Sequence, residues 1–297
     1  MYDIIIVGAG PAGLTAALYA GRSNKKVLVL EAKAYGGQIL SAAVVENYPG
    51  IASISGFDYA TNLYNQVKEL GVEILFETVV SISKDKKVTT NNNEYEAKAI
   101  ILATGSENRK LALENEEKLI GKGVSYCATC DGNLFRNKIV AVVGGGNTAL
   151  EDALYLSDIA SKVYLIHRRD SFRGEDKLVN DLKNKDNVEF FLNSNVTKIN
   201  GEDKVESITI NDNDNNEKVI EINGLFIAVG QEPKNIMFKN VVDLDEKGYI
   251  ISTDDVHTNT KGIYVAGDAR VKMLRQLTTA VSDGSIAATT AIREMEW

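Results

Sequence analysis

The apolar positions along this chain change period in an order that repeats. "YDIIIV" contains a β-branched run that predicts a strand from Asp3 to Val7, "GAGPAG" interrupts it with a glycine turn, and "LTAALYAGR" continues a helix from about Pro11. "KKVLVLEA" predicts a second strand ending at Glu31. The same order returns later: "KIVAVVGGGNTALEDALYLSDIA" gives strand, turn and helix, and "SKVYLIHRR" the following strand. The chain therefore carries two nucleotide-fold units, with first glycines Gly8 and Gly144.

Each unit runs on into more polar, β-rich sequence. "ILFETVVSISKDKKVTTNNNEYEAKAIILATG" predicts strands around an Asn-rich turn and a buried strand that stops at Gly105. "VEFFLNSNVTKINGEDKVESITINDNDNNEKVIEINGLFIAVG" predicts the same and stops at Gly230. A third piece begins near Val241 and ends in a small-residue helix from about Gln276; it is too short to stand alone and is expected to complete the first domain. The expected fold class is α/β, with two Rossmann-like three-layer nucleotide-binding domains, the second inserted into the first. Residues 1–113 and 244–297 would form the discontinuous domain and 114–243 the inserted one, with linkers near Leu113 and Val241.

Composition narrows the function classes. A length of 297 residues with 44% hydrophobic content suits two domains, and a formal charge of -8 argues against a general nucleic-acid binder, which needs a concentrated positive field. The uncharged stretch from Ile4 to Ala20 is 17 residues long and contains three glycines and a proline, so no membrane span is expected there. Two cysteines make no disulfide scaffold, and the N-terminus lacks a secretory pattern; a reducing, cytoplasmic compartment is expected.

Gly8, Gly10 and Gly13 spell G-x-G-x-x-G between a strand and a helix. The first allows the tight turn, the second a close backbone approach to pyrophosphate, and the third close helix-to-strand contact, while free amides at the helix start suit phosphate. Glu31, at the end of the next strand, is placed to accept hydrogen bonds from an adenosine ribose. This motif alone does not choose between FAD and NAD. Gly144, Gly146 and Ala149 give the G-x-G-x-x-A variant, but the following strand ends in "HRRDSFRG". His167, Arg168, Arg169 and Arg173 replace the ribose-binding acid with basic groups, which favours the 2'-phosphate of NADPH over NADH. Two electrically different sites imply two different dinucleotides.

Both cysteines lie in "VSYCATCDGNLF". Structural zinc needs four ligands, and only Cys127, Cys130, His167 and His257 are available as soft or imidazole donors. A disulfide across so short a loop would constrain little of the unfolded chain. C-x-x-C also has the geometry of a reversible dithiol, and Asp131 can supply or accept the proton of thiol-disulfide exchange, although Asp131 and Gly132 also read as a simple turn. A flavin would convert a two-electron hydride donor into a disulfide reductant.

With "GAGPAG", "GGQI", "ENYPG", "ATG", "YCATCDG", "VVGGGNTALEDA", "HRRDSFRG", "AVGQEP", "GIYVAGDAR" and "RQLTTAVSDG" in this order, the chain resembles the bacterial low-molecular-weight thioredoxin reductases over essentially its full length. The resemblance implies a homodimeric flavoprotein with FAD on the discontinuous domain and NADPH on the inserted one, which alternates between two orientations during turnover. It implies that Cys130 lies against the flavin, that Cys127 attacks thioredoxin, and that Asp131 donates a proton. FAD binding carries over to Gly8, Gly10, Gly13, Glu31, Gly37, Gln38, Asn47, Asp268, Arg275 and Gln276. NADPH binding carries over to Gly144, Gly146, Asn147, Thr148, His167, Arg168, Arg169 and Arg173. "SENRKLALENEE" departs from the family by lacking its Pro-Gly pair, and Asn147 and Thr148 stand where an acid and Ser are common. The alternatives to thioredoxin are a glutaredoxin-like or peroxidase partner, and a nucleotide-dependent redox sensor that would bind cofactor without turnover.

Overall fold

The structure, a computed structural model, describes residues 1–42 and 44–296. It divides into two compact units, one holding Met1–Ser41, Val45–Glu107 and the chain from Glu232 onwards, the other Ala42, Val44 and Asn108–Gln231.

The first unit opens with β1 (Tyr2–Val7), α1 (Pro11–Arg22) and β2 (Val27–Leu30). Proline at the helix start is tolerated because its missing N–H is one that no intrahelical carbonyl would accept. α2 (Gly56–Glu69) follows, capped by the Ser55 hydroxyl, which accepts the Asp58 N–H at 3.0 Å. Then come β3 (Glu73–Leu75), β4 (Val79–Ile82), β5 (Lys87–Thr90) and β6 (Glu94–Leu102). In β6 the sequence itself records a change of partner. Its first half alternates exposed and covered residues where it pairs antiparallel with β5, whereas Ala99 to Leu102 are buried without interruption where both sheet faces are covered.

The chain then crosses through β7 (Glu107–Asn108) into the second unit: β8 (Val124–Ser125), α3 (Ala128–Asp131), β9 (Ile139–Val143), α4 (Asn147–Ser157), β10 (Lys162–Ile166), α5 (Asp176–Lys183) and β11 (Val188–Phe191). β12 (Ser194–Asn200), β13 (Ser207–Asp212) and β14 (Glu217–Glu221) form a separate antiparallel sheet, and β15 (Gly224–Ile227) returns to the main one. The main sheet has the order β11-β10-β9-β15-β8 and is parallel throughout. β16 (Gln231–Glu232) pairs with β7, so the outgoing and returning crossings lie side by side. β17 (Ile263–Val265) then adds to β6 in parallel, and α6 (Leu277–Glu296) packs on α1.

Both units are three-layered. In the first, Ile4 and Ile6 point into a core shared with α1, α2 and α6, while Ile5 and Val7 point into a core with Val79, Val88 and Phe238. In the second, Val140 and Val142 face α4 and α5, and Ala141 and Val143 face the antiparallel sheet. The crossings between units fall earlier in the chain than Leu113 and Val241 because burial decides membership. Phe238, Val241 and Val242 fill the core of the first unit. On the other side, buried Glu116 accepts the Leu111 N–H at 3.0 Å and the Leu113 N–H at 3.3 Å, fastening that segment within the second unit. Among the described residues no helix is long and apolar enough to cross a membrane, and no three of His, Cys, Asp and Glu gather as metal ligands.

Candidate active site

The dithiol turn is built by β8 feeding α3. Cys127 and Cys130 are joined as a disulfide, with Cα atoms 5.3 Å apart and both residues half-buried. The backbone closes on the Cys127 carbonyl, which accepts N–H bonds from Cys130 at 3.3 Å and Asp131 at 3.1 Å. Ser125, buried on β8, accepts the Cys127 N–H at 3.1 Å and donates its own proton to Asp131 Oδ2 at 2.6 Å. Asp131 Oδ1 is buried with no partner among the described residues. Burial pushes the Asp131 carboxyl above the usual range, and the Ser125 hydrogen bond pulls against it. α4 backs this turn: a side chain at Gly132 would strike Tyr155, and Asp152 on the same helix faces the Ala128 N–H. Burial, with Glu151 adding repulsion, raises the Asp152 carboxyl to about 7.

The second glycine turn lies in the same unit. A Cβ at Gly144 would come within 2.4 Å of the Ala228 carbonyl oxygen, whereas a Cβ at Gly146 would meet nothing within 4 Å. The first glycine is thus held by the sheet and the next leaves open space before α4, where Asn147 and Thr148 are exposed in the first turn. His167 is buried, stacks on Phe172 at 5.3 Å between ring centroids, and fills the space beside Gly145, where a Cβ would lie 2.1 Å from the ring. Burial pushes its imidazole below the ordinary value and the nearby arginines add to that, so neutral His167 carries no charge at pH 7. The positive charge resides on Arg168, Arg169 and Arg173, all exposed. Asn147, to which the resemblance carries NADPH binding, is engaged within the protein: it accepts the Glu175 N–H at 2.8 Å and donates to the Glu175 carboxylate at 3.0 Å. With the Arg173 N–H on the Gly145 carbonyl at 2.8 Å, it braces the arginine loop against the glycine turn.

In the first unit the same device appears. A Cβ at Gly8 would lie 2.4 Å from the Ala103 oxygen, and one at Gly13 would lie 1.9 Å from the Gly8 oxygen. Gly10 and Gly37 face one another, so this strip is lined by backbone. Glu31 accepts N–H bonds from Ala9 and Lys33, each at 2.8 Å, and its carboxylate retains further lone pairs. Gln38 donates to the Ser106 carbonyl, and Asn47 donates to Gln276 at 3.1 Å. The Arg275 guanidinium lies 4.0 Å from the Tyr249 ring centre, with its Nε buried and unpartnered. Asp268 Oδ1 is likewise buried without a partner among the described residues, and burial raises that carboxyl while Lys272 and Arg275 draw it back. Asp283, which spacing does not single out, accepts the Gly267 N–H at 3.0 Å, Arg270 at 3.2 Å and Lys272 at 2.8 Å; it fixes the Gly267–Asp268 turn. Buried polar atoms left without partners beside a backbone-lined cradle fit a polar ligand such as a dinucleotide.

A family model described as pyridine nucleotide-disulphide oxidoreductase matches residues 2–284. The chain belongs to this family. Within the pyridine nucleotide-disulphide oxidoreductases it is 42% identical over 301 residues to a thioredoxin reductase of Listeria monocytogenes, a match covering 100% of this chain and 94% of the relative. The thioredoxin reductase of Treponema pallidum is 42% identical over 292 residues, covering 97% and 95%. Among solved structures, thioredoxin reductase from Streptococcus pyogenes is 42% identical and superposes with a TM-score of 0.95, over 100% of this chain and 98% of that one.

Proposed function

We propose that the chain is an NADPH-dependent thioredoxin-disulfide reductase that uses FAD and the Cys127–Cys130 pair. The observation that carries this is the disulfide itself, set beside a buried carboxyl in a unit that also holds a glycine cradle flanked by three exposed arginines. Full-length likeness to thioredoxin reductases supports the substrate. FAD belongs on the unit containing Gly8, Glu31, Asp268 and Arg275, and NADPH on the one containing Gly146, Arg168, Arg169 and Arg173. The chemistry these groups supply when bound is two-electron transfer from nicotinamide to a disulfide. The chain's own part is to hold the pyrophosphates on glycine backbone, pair the 2'-phosphate with guanidinium groups, and keep a proton at Asp131. Resemblance to homodimeric reductases supports a homodimer, and a reversible dithiol suits the reducing cytoplasm.

Anaerobic titration with NADPH should bleach a flavin absorbance band, and added oxidised thioredoxin should restore it. Cys127→Ser and Cys130→Ser should each abolish thioredoxin reduction while leaving flavin bound. Thioredoxin reduction at the parent rate by either variant would refute this function.

A further inference from the structure

The role of Ser125 is not explained by the turn alone. Its hydroxyl proton has two acceptors within reach, Asp131 Oδ2 at 2.6 Å and the Cys127 carbonyl at 3.4 Å. The shorter contact to a carboxyl oxygen wins, since hydrogen-bond strength falls steeply at the longer distance. The hydroxyl oxygen is simultaneously the acceptor for the Cys127 N–H at 3.1 Å. Ser125 thus ties the first cysteine of the pair to one specific oxygen of the acid that follows the second.

We propose that Ser125 is the positioning residue of the dithiol centre, occupying Asp131 Oδ2 so that the transferable proton sits on Oδ1. The inference rests on the proposed redox function of the pair. Asp131 Oδ1 is the buried atom without a partner among the described residues, and an oxygen already accepting a short hydrogen bond is the poorer place for a proton. Opening the Cys127–Cys130 bond takes two electrons, which a bound reduced dinucleotide would supply, and leaves two sulfurs that require two protons. One passes from Asp131 Oδ1 to the departing sulfur and is replaced from water; the other sulfur takes its proton from solvent.

Two opposing effects set the acidity of Asp131, burial upward and Ser125 downward. Of the neighbouring titratable groups, Asp152 and Tyr155 lie on α4 against the turn, Tyr126 stands next to Ser125 and bonds Glu116 at 2.6 Å, and the cysteines are tied as a disulfide. Asp152 titrates in the neutral range, so Asp152→Asn is the background in which the Asp131 carboxyl is read.

The test uses the flavin-loaded full-length protein, with two readouts: infrared titration of the Asp131 carboxyl, assigned by its loss in Asp131→Asn, and the rate at which dithiothreitol reduces the disulfide. Dithiothreitol supplies both electrons and becomes a cyclic disulfide. Ser125→Ala should move the carboxyl midpoint to higher pH and slow reduction by about 10- to 100-fold, the range for a hydrogen bond to a charged group. Ser125→Thr should restore both, and Ser125→Ala should slow Asp131→Asn no further. An unmoved midpoint, or slowing that multiplies with that of Asp131→Asn, would overturn the inference. If Ser125→Ala fails to retain flavin, Ser125→Thr decides, because a folded threonine variant with a displaced midpoint contradicts the role. Dithiothreitol reads the turn without thioredoxin, so failure of the parent to reduce thioredoxin would count against the proposed function alone.

Discussion

At the scale of single residues, position on the strand separates the arginines from ordinary surface charge. Arg168 and Arg169 follow β10 after the single residue His167, and Arg173 is drawn back by its own N–H to the Gly145 carbonyl. Guanidinium groups pair with a dianionic phosphate through directed, charge-assisted bonds. Replacing both Arg168 and Arg169 with Ala should raise the KM for NADPH by about 10- to 100-fold and leave the KM for NADH nearly unchanged. Steady-state assays with both coenzymes check this, and an unchanged KM ratio would remove the 2'-phosphate from the explanation. The arginine run stands out in the sequence because a basic run at a strand end is unusual for a dinucleotide fold, and the structure leaves all three side chains exposed beside the glycine turn. Gly145, Ser125 and Asp283 do not stand out, since spacing along the chain does not say which side chain will fill which gap. The His167 ring makes Gly145 irreplaceable only once the strand and turn have folded together.

Among the elements, α4 serves two sites. Its N-terminal residues border the open glycine cradle, and further along Asp152 and Tyr155 back the dithiol turn. Such a helix must bury a carboxyl, and that has a cost with a definite sign. Asp152 has a folded value near 7 against an ordinary 3.8. Below the ordinary value it is protonated in both states and costs nothing; as pH rises towards 7 the unfolded chain ionises first, and stability falls until the folded group ionises too. Asp152→Asn should therefore raise the Tm of the second unit at pH 8 by about 4 °C, the shift expected for roughly 1 kcal/mol in a domain of about 100 to 150 residues, and leave it unchanged near pH 3. Thermal melts at the two pH values provide the check; an equal gain at both would locate the effect in packing instead. The repeated strand-turn-helix order predicted α4, but an acidic residue on the inner face looks the same in sequence as one on the outer.

For the whole molecule, the repeated strand-turn-helix order made the two units legible at once, along with the antiparallel strands that follow each main sheet. The crossing points were not, because Phe238, Val241, Val242 and Glu116 assign their segments through contacts distant in sequence. Each unit has its own pair of cores, which makes a single cooperative melt of the cofactor-free chain unnecessary. Calorimetry of that form should show two transitions, with FAD raising one and NADP+ the other by about 2.7 kcal/mol at a hundredfold excess over Kd. One transition shifted alike by either ligand would contradict independent sites. Gly8 and Gly144 each sit against the carbonyl of the residue that closes a neighbouring strand, so the two repeated turns share one point of fragility. A single added carbon at either one would force the glycine turn or the strand end facing it to move.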